Sequence, residues 1–223
     1  MADQNGVALV ENFHFEQSPL FHAVYAAIKG KKYGELGKLK HVDIKFGFRL
    51  AESDTRFRSD LAGGALNDIG VYAIRAFRSL LGNIEFLSGE VFGGGGRVDI
   101  GGMINIVSPK CSVTGSASFG FERYYDCSLQ AWFDNGRIQA SRFFTMPFDS
   151  YGVIKIESGC ASSFGVSLPR FDQWGAMFHA FEAAMVNADL QLKYRQELLQ
   201  QSLDLVRVKN LVSRNLVSRD RLK

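Results

Sequence analysis

Residues 63–82, GGALNDIGVYAIRAFRSLLG, carry the clearest helical pattern in the chain. A glycine pair opens the segment, where backbone can approach another group closely, and Gly82 marks its end. The acid Asp68 and the phenol Tyr72 are four positions apart, so a helix places them on one face at about 5–6 Å. The apolar residues recur at helical spacing and predict the buried side, which consists of Leu66, Ile69, Ala73, Ala76, Phe77 and Leu80.

An acid and a phenol on one helical face suit proton transfer to a carbonyl compound. A phenol with an ordinary pKa of about 10 is protonated at neutral pH, so Tyr72 fits a general acid that supplies a proton to a developing alkoxide. Asp68 would accept hydrogen bonds from neighbouring hydroxyls. The structural alternative is an amphipathic helix in which Asp68 pairs locally and Tyr72 is half-buried.

The segments before this helix predict a strand, a helix and a second strand. Residues 7–15, VALVENFHF, are apolar at nearly every position and predict a central strand buried on both faces. SPLFHAVYAAIKGKKYG predicts a helix with Ser18 as its N-cap and Pro19 in the first turn. Residues 37–50 alternate between apolar and polar side chains and predict a half-buried strand.

The remainder of the chain predicts a run of strands and then two closing helices. Residues 84–157 contain only strand patterns, and the DNG turn at 134–136 predicts a hairpin. Two helices follow over 173–210, and the basic tail 211–223 is expected to fray. The fold class is therefore α+β (α/β), with an open, mainly antiparallel sheet and helices packed on one face. The apolar stripes expected on the closing helices are Trp174, Met177, Phe178, Phe181 and Met185, then Leu198, Leu199, Leu203 and Val206.

Composition excludes several classes of function. The 223 residues are 46% hydrophobic and 22% charged with a net charge of +3, so no basic stripe indicates nucleic acid. Three cysteines without CxxC spacing indicate neither a disulfide framework nor a zinc site, and the four histidines lack metal-ligand spacing. No signal peptide or membrane-spanning run is present in the sequence. We expect a soluble, cytoplasmic protein without a metal.

Two further residues are candidates for substrate binding. His14 lies at the far end of the strand predicted for residues 7–15, and open α/β sheets often bind ligands at that end. Arg56, in the loop before the glycine pair, is placed to steer an anionic substrate. The structural alternatives are a satisfied core histidine and a solvated arginine.

Three segments together resemble the Gfo/Idh/MocA oxidoreductases: VENFHFEQSP, GELGKLKHVDIKF and LAGGALNDIGVYAIRAFRSLLG. The glycine-rich lead into D-I-G-x-Y is the most specific of these. The resemblance implies a C-terminal domain like that of glyceraldehyde-3-phosphate dehydrogenase, beside a Rossmann domain that binds NAD or NADP. It also implies that Tyr72 is the catalytic proton donor and that Asp68 helps to place a sugar-like substrate.

The sequence departs from this family pattern at the cofactor side. It contains neither GxGxxG nor the E-K-P motif that supplies the family's lysine. We therefore interpret residues 1–16 as the last helix and strand of a Rossmann domain that is otherwise missing, and residues 17–172 as the substrate domain. Glu16 replaces an arginine that relatives often have, and Arg75 stands where Asp or Asn is common.

The resulting prediction is the substrate-binding domain of an NAD(P)-dependent oxidoreductase. It would act on a CH–OH or C=O group of a sugar, sugar nucleotide or polyol, and would be inactive without its cofactor domain. One alternative is a non-enzymatic module that binds a sugar-like ligand or oligomerises. Another is a degenerate gene product that folds poorly. Partners are expected to be the small substrate and further copies of the chain, paired through the open sheet face, with no nucleic acid or membrane.

Overall fold

One mixed sheet organises the computed structural model, which describes residues 5–93, 98–148, 150–159 and 162–220. Its strand order is β2-β3-β4-β1-β5-β6-β7-β8. The pairing of β1 with β4 is parallel, and the other neighbouring strands are antiparallel. The strands are β1 (Leu39–Arg49), β2 (Glu85–Phe92), β3 (Gly101–Ser108), β4 (Val113–Gly120), β5 (Glu122–Phe133), β6 (Gly136–Ser141), β7 (Val153–Ser158) and β8 (Ser162–Ser167). The open, mainly antiparallel sheet predicted from the sequence is confirmed.

Alternation along the strands gives the sheet one buried and one open face. Val42, Ile44 and Phe46 of β1 are buried, whereas Lys45 between them is exposed. The same alternation in β4 buries Ala117 and Phe119 on the face shared with these residues. Because side chains point to opposite faces with a period of two, the apolar set forms one continuous core. The predicted DNG hairpin joins β5 to β6.

The described residues contain four α-helices, and the hydrophobic core lies between the sheet and three of them. They are α1 (Pro19–Ile28), α2 (Val71–Leu81), α3 (Gln173–Val186) and α4 (Ala188–Asp220). α1 packs on β6, α2 on β1 and β4, and α4 on β2. Ser18 accepts a hydrogen bond from the Phe21 N–H at 3.1 Å, so the predicted N-cap of α1 is confirmed. No helix in the described ranges is long and apolar enough to cross a bilayer.

The helix that carries Asp68 and Tyr72 begins with a feature that the sequence pattern did not reveal. Residues Leu66–Gly70 form a π-helical turn that continues directly into α2. Asp99 holds this start, because its carboxylate accepts a hydrogen bond from the Leu66 N–H at 2.7 Å. Gly64 precedes it with a φ of +117°, a conformation that other residues rarely adopt. π-helical turns of this kind are frequent at functional sites.

The strand predicted for residues 7–15 is wrong. Residues 7–13 have no regular secondary structure, and His14–Gln17 form a 3₁₀ turn instead. A buried strand needs neighbours that complete its hydrogen-bond ladder, and no described strand pairs with this segment. Val7 and Leu9 are about half exposed for the same reason. Asn5 is helical and Gly6 has a positive φ, while residues 1–4 of the predicted helix lie outside the described residues.

The closing helices form where predicted, but the buried stripe of α4 was assigned to the wrong side. Leu199, Leu203 and Val206 are each more than half exposed. The buried side carries Gln201 and Asp204, whose polar groups are bonded to α2, together with Val208 and Val212. Apolar periodicity cannot identify a buried face whose polar side chains find tertiary partners. Trp174, Phe178, Phe181 and Met185 of α3 are also largely exposed, and α4 extends through the predicted tail to Asp220.

Candidate functional site

Tyr72 stands on the first turn of α2 inside a wall of aromatic rings. Its ring meets those of Phe13, Phe46 and Phe144 edge-on, with centroids 5.2, 5.5 and 5.5 Å away. The three rings come from the segment before α1, from the central strand β1 and from the segment that follows β6. Such edge-to-face contacts fix the orientation of the phenol ring. The helix, the sheet and the N-terminal segment therefore jointly position this side chain.

The hydroxyl of Tyr72 is suited to giving a proton. Within the described residues it has no hydrogen-bond partner. Burial raises the pKa of the Tyr72 phenol, and the negative charges of Asp68 and Glu11 raise it further, while Arg56 acts in the opposite direction. Since both burial and neighbouring acids disfavour the phenolate, Tyr72 stays protonated over the physiological range. A protonated phenol is the form that a proton donor requires.

Asp68 lies in the π-helical turn and is held by an arginine of the preceding loop. Arg56 Nε donates to Asp68 Oδ2 at 3.0 Å, and Arg56 Nη1 lies 3.3 Å from Asp54. The hydrogen bond to Asp68 raises the pKa of Arg56. The arginine expected to steer an anionic substrate is therefore already compensated by two carboxylates, and it orients Asp68 instead. Arg56, Asp68 and Asn67 line a cavity of about 180 Å³.

His14 is buried beside the same tyrosine, although no strand places it there. Its ring stacks on Trp174 of α3 with centroids 4.6 Å apart, and it lies 6.4 Å from the Tyr72 ring. Burial lowers the pKa of His14, against the effect of its hydrogen bond to the Phe144 carbonyl. Nδ1 is buried and has no hydrogen-bond partner among the described residues. Since the lowered pKa favours the neutral imidazole, an unpartnered ring nitrogen is buried beside Tyr72.

The two residues that depart from the family pattern bind each other. Arg75 donates to Glu16 through two hydrogen bonds, Nε to Oε1 at 2.8 Å and Nη2 to Oε2 at 2.7 Å. Arg75 Nη2 also donates to Glu197 of α4 at 2.7 Å, and Ser79 donates to Glu16. The guanidinium group also lies over the ring of Phe13, 5.6 Å from its centroid. This ion cluster ties the segment around His14 and the helix α4 to the helix of Tyr72.

Sequence reasoning missed the residues that reach the site from distant parts of the chain. Phe144 and Trp174 both approach Tyr72 or His14, yet neither carries a local signal of that role. Asp99, which fixes the start of the helix, likewise follows no motif. Their placement depends on the β5–β6 hairpin, on α3 and on the end of the loop before β3. Of the four candidates, Asp68, Tyr72 and His14 converge, and Arg56 joins them through Asp68.

Comparison with known proteins identifies relatives that share this architecture. The model of the GFO/IDH/MocA C-terminal domain matches residues 27–139. The dTDP-3,4-didehydro-2,6-dideoxy-alpha-D-glucose 3-reductase of Saccharopolyspora spinosa is 35% identical over 180 residues, which are 78% of this chain and 52% of that protein.

Solved structures agree with this match. The 3-ketoreductase KijD10 of Actinomadura kijaniata, in complex with NADP and TDP-benzene, superposes with a TM-score of 0.87 at 28% identity, over 95% of this chain and 64% of that one. An aldose-aldose oxidoreductase of Caulobacter crescentus shares the fold with a TM-score of 0.69 at 17% identity, over 92% of this chain and 63% of that one. The chain thus spans between half and two thirds of the length of these relatives. With its sheet, its glycine-led helix and this family match, the chain belongs to the GFO/IDH/MocA family.

Proposed function

We propose that this chain binds a keto sugar nucleotide and supplies the proton in its NADP-dependent reduction. The observation that carries the proposal is the Tyr72 hydroxyl, which is kept protonated by burial and has no hydrogen-bond partner within the described residues. The Saccharopolyspora spinosa reductase is named for a dTDP-linked didehydro sugar, and the 3-ketoreductase KijD10 was solved with NADP and TDP-benzene. These likenesses support both the substrate class and the choice of NADP.

Tyr72 would donate its proton to the carbonyl oxygen as that oxygen gains negative charge. The proton moves from the phenol to the developing alkoxide, a far stronger base, so the transfer is downhill. Asp68 would accept a hydrogen bond from a hydroxyl beside the reacting carbon, because Arg56 holds Oδ2 and leaves Oδ1 without a partner in the described residues. His14 would line the substrate site beside Tyr72, since its ring lies 6.4 Å from the Tyr72 ring. Together these groups orient the carbonyl towards Tyr72.

The described residues do not fit the cofactor itself. A dinucleotide needs a strand, a glycine turn and a helix N-terminus to hold its pyrophosphate, and the described sheet offers no such unit. When bound, NADP supplies the hydride. The role derived for this chain is restricted to substrate binding and proton donation, and we propose that a nucleotide-binding domain outside these 223 residues holds the cofactor.

Association of copies through the open sheet face is part of the proposal. The centre of this face is polar, with Ser116 donating to Asp43 at 2.7 Å. Met103, Trp132 and Val153 add exposed apolar area around that centre. A face of this composition resembles a protein interface with a polar network and apolar anchors.

A chimera tests the catalytic role of Tyr72. The chain is placed after the nucleotide-binding half of the Actinomadura kijaniata reductase, and NADPH oxidation is followed by absorbance with the dTDP-linked didehydro sugar. Tyr72→Phe should lower kcat by about a hundredfold or more with little change in KM, since it removes only the proton donor. Tyr25→Phe, on α1, serves as the matched control and should leave kcat unchanged.

Two results would count against this assignment. A Tyr72→Phe chimera with the kcat of the parent would remove Tyr72 from the role of proton donor. Calorimetry of the 223-residue chain with NADPH should show no binding. A saturable heat signal would mean that the chain holds the cofactor by itself and that the cofactor domain need not be sought elsewhere.

A further inference from the structure

A cleft of about 770 Å³ opens beyond the Tyr72 site, between the end of β1, the following loop and the start of β5. We call it the arginine–tyrosine cleft. Its volume lies within the range of about 300–1,000 Å³ that is usual for small-molecule sites. The residues that line it are Phe48, Arg49, Leu50, Glu52, Phe57, Glu122, Arg123, Tyr124 and Tyr125.

Packed aromatic rings link the lining of the cleft to the surroundings of Tyr72. Phe46, which meets the Tyr72 ring, also meets Phe48 with centroids 5.6 Å apart. On the opposite wall, the Tyr125 hydroxyl bonds the Thr145 hydroxyl at 2.8 Å, and Thr145 follows the Phe144 that packs on Tyr72. Two successive ring contacts, from Tyr72 to Phe46 and from Phe46 to Phe48, therefore separate the Tyr72 site from the arginine–tyrosine cleft, a span that an extended ligand such as a sugar nucleotide can match.

The charges in the cleft are of a kind that binds phosphate. Within the described part of the chain, neither Arg49 nor Arg123 forms an ion pair with a carboxylate. By contrast, the nearby Arg56 and Arg58 are both paired with aspartates. Guanidinium groups without a carboxylate partner bind phosphate oxygens through two parallel hydrogen bonds. Arg123 is also oriented, because its Nη1 donates to Ser118 at 2.5 Å.

The remaining lining groups suit a nucleoside rather than phosphate alone. The Tyr124 side chain is 95% exposed, and Tyr125 and Phe57 add ring surface beside it. Bases stack on such exposed rings. Glu52 and Glu122 would repel a bare anion, but their oxygens can accept from the imide N–H of a pyrimidine and from a ribose hydroxyl. A nucleoside diphosphate presents both kinds of group.

We infer that the arginine–tyrosine cleft binds the pyrimidine nucleoside diphosphate portion of the substrate, with the base stacked on Tyr124 and the diphosphate on Arg49 and Arg123. This inference rests on the proposed function, because a sugar nucleotide is the ligand that would span both sites. Arg49, Arg123 and Tyr124 would then determine the specificity for the nucleotide, although none of them contacts the reacting carbon.

Calorimetry of the full 223-residue chain with dTDP, thymidine and inorganic pyrophosphate tests the cleft. Tyr124→Ala should weaken dTDP and thymidine binding about fivefold or more, because it removes the stacked ring. Arg49→Ala should weaken dTDP and pyrophosphate binding and leave thymidine binding unchanged. Both side chains are exposed, so neither change should affect folding. The matched control is Tyr151→Ala, an exposed tyrosine beneath Arg170 outside the cleft, which should bind dTDP like the parent.

Several outcomes would overturn the assignment. The cleft is refuted if the parent chain binds no dTDP at millimolar concentrations, or if both cleft variants bind it as the parent does. Equal weakening by Tyr151→Ala would also refute it, because the effect would then be general. These outcomes are independent of the proposed function, which fails on its own if Tyr72→Phe keeps full kcat in the chimera while Tyr124→Ala still weakens dTDP binding.

Discussion

Replacing Arg75 by methionine should destabilise the chain strongly, because the change leaves two carboxylates without their cation. The side chains of Arg75 and Glu16 are only 10% and 18% exposed, and Glu197 is 29% exposed. Removing one partner from a buried ion pair costs about 3–5 kcal/mol. Glu197 is partly solvated and Ser79 continues to donate to Glu16, so the lower end, about 3 kcal/mol, applies here. Methionine keeps an unbranched apolar side chain at this position while it removes the guanidinium group that lies over the Phe13 ring.

The assay is thermal unfolding followed by circular dichroism. For a chain of this size about 1 kcal/mol shifts Tm by about 2–4 °C, so Arg75→Met should lower Tm by about 6–12 °C. The control is Arg58→Met, since Arg58 and Asp60 form an ion pair whose side chains are 58% and 62% exposed. Exposed pairs contribute little, and that variant should melt like the parent.

A second substitution separates loss of the ion pair from general disruption. Adding Glu16→Gln to Arg75→Met removes one uncompensated carboxylate and should recover part of the lost Tm, although Glu16→Gln alone lowers it. Such non-additivity is the signature of two residues in contact. If Arg75→Met has the same Tm as Arg58→Met, or if adding Glu16→Gln recovers none of the lost Tm, then uncompensated buried carboxylates are not the cause of the destabilisation.

Two further predictions concern the start of the helix that carries Tyr72 and the buried histidine. Gly64→Ala should lower the free energy of unfolding, measured by urea titration, by about 1–3 kcal/mol, because φ is positive there and the new Cβ would overlap the Asp99 carboxylate. The control is Gly34→Ala, whose Cβ would meet open space and which should have no such effect. Burial lowers the pKa of His14, so its contribution to stability is complete above its ordinary pKa of 6.5 and is lost as the pH falls towards the folded value. When the pH is lowered from about 7.5 to about 5.5, the Tm of the parent should therefore fall by more than the Tm of His14→Phe. Equal decreases in Tm would show that the pKa of His14 is not lower in the folded chain than in the unfolded one.

The local sequence pattern was sufficient to predict those elements whose buried side is apolar. The helix after Gly64, the strand β1 and the DNG hairpin follow from spacing and turn chemistry alone, because one side of each element is buried against apolar neighbours. The pair Asp68 and Tyr72 was visible for the same reason. Residues four positions apart on a helix lie on one face whatever the rest of the chain does.

Contacts between distant segments account for what local pattern missed. Residues 7–15 are apolar enough for a buried strand, but a strand also needs neighbours, and no described strand pairs with them. Glu16 and Arg75 looked like unrelated departures until the fold brought them within 2.8 Å, where each charge compensates the other. The buried side of α4 was hidden because Asp204 is satisfied by Arg78 across the helix interface. The stabilisation from strand pairing and from buried ion pairs depends on which residues meet in space. Sequence periodicity shows only which residues lie on one face of an element.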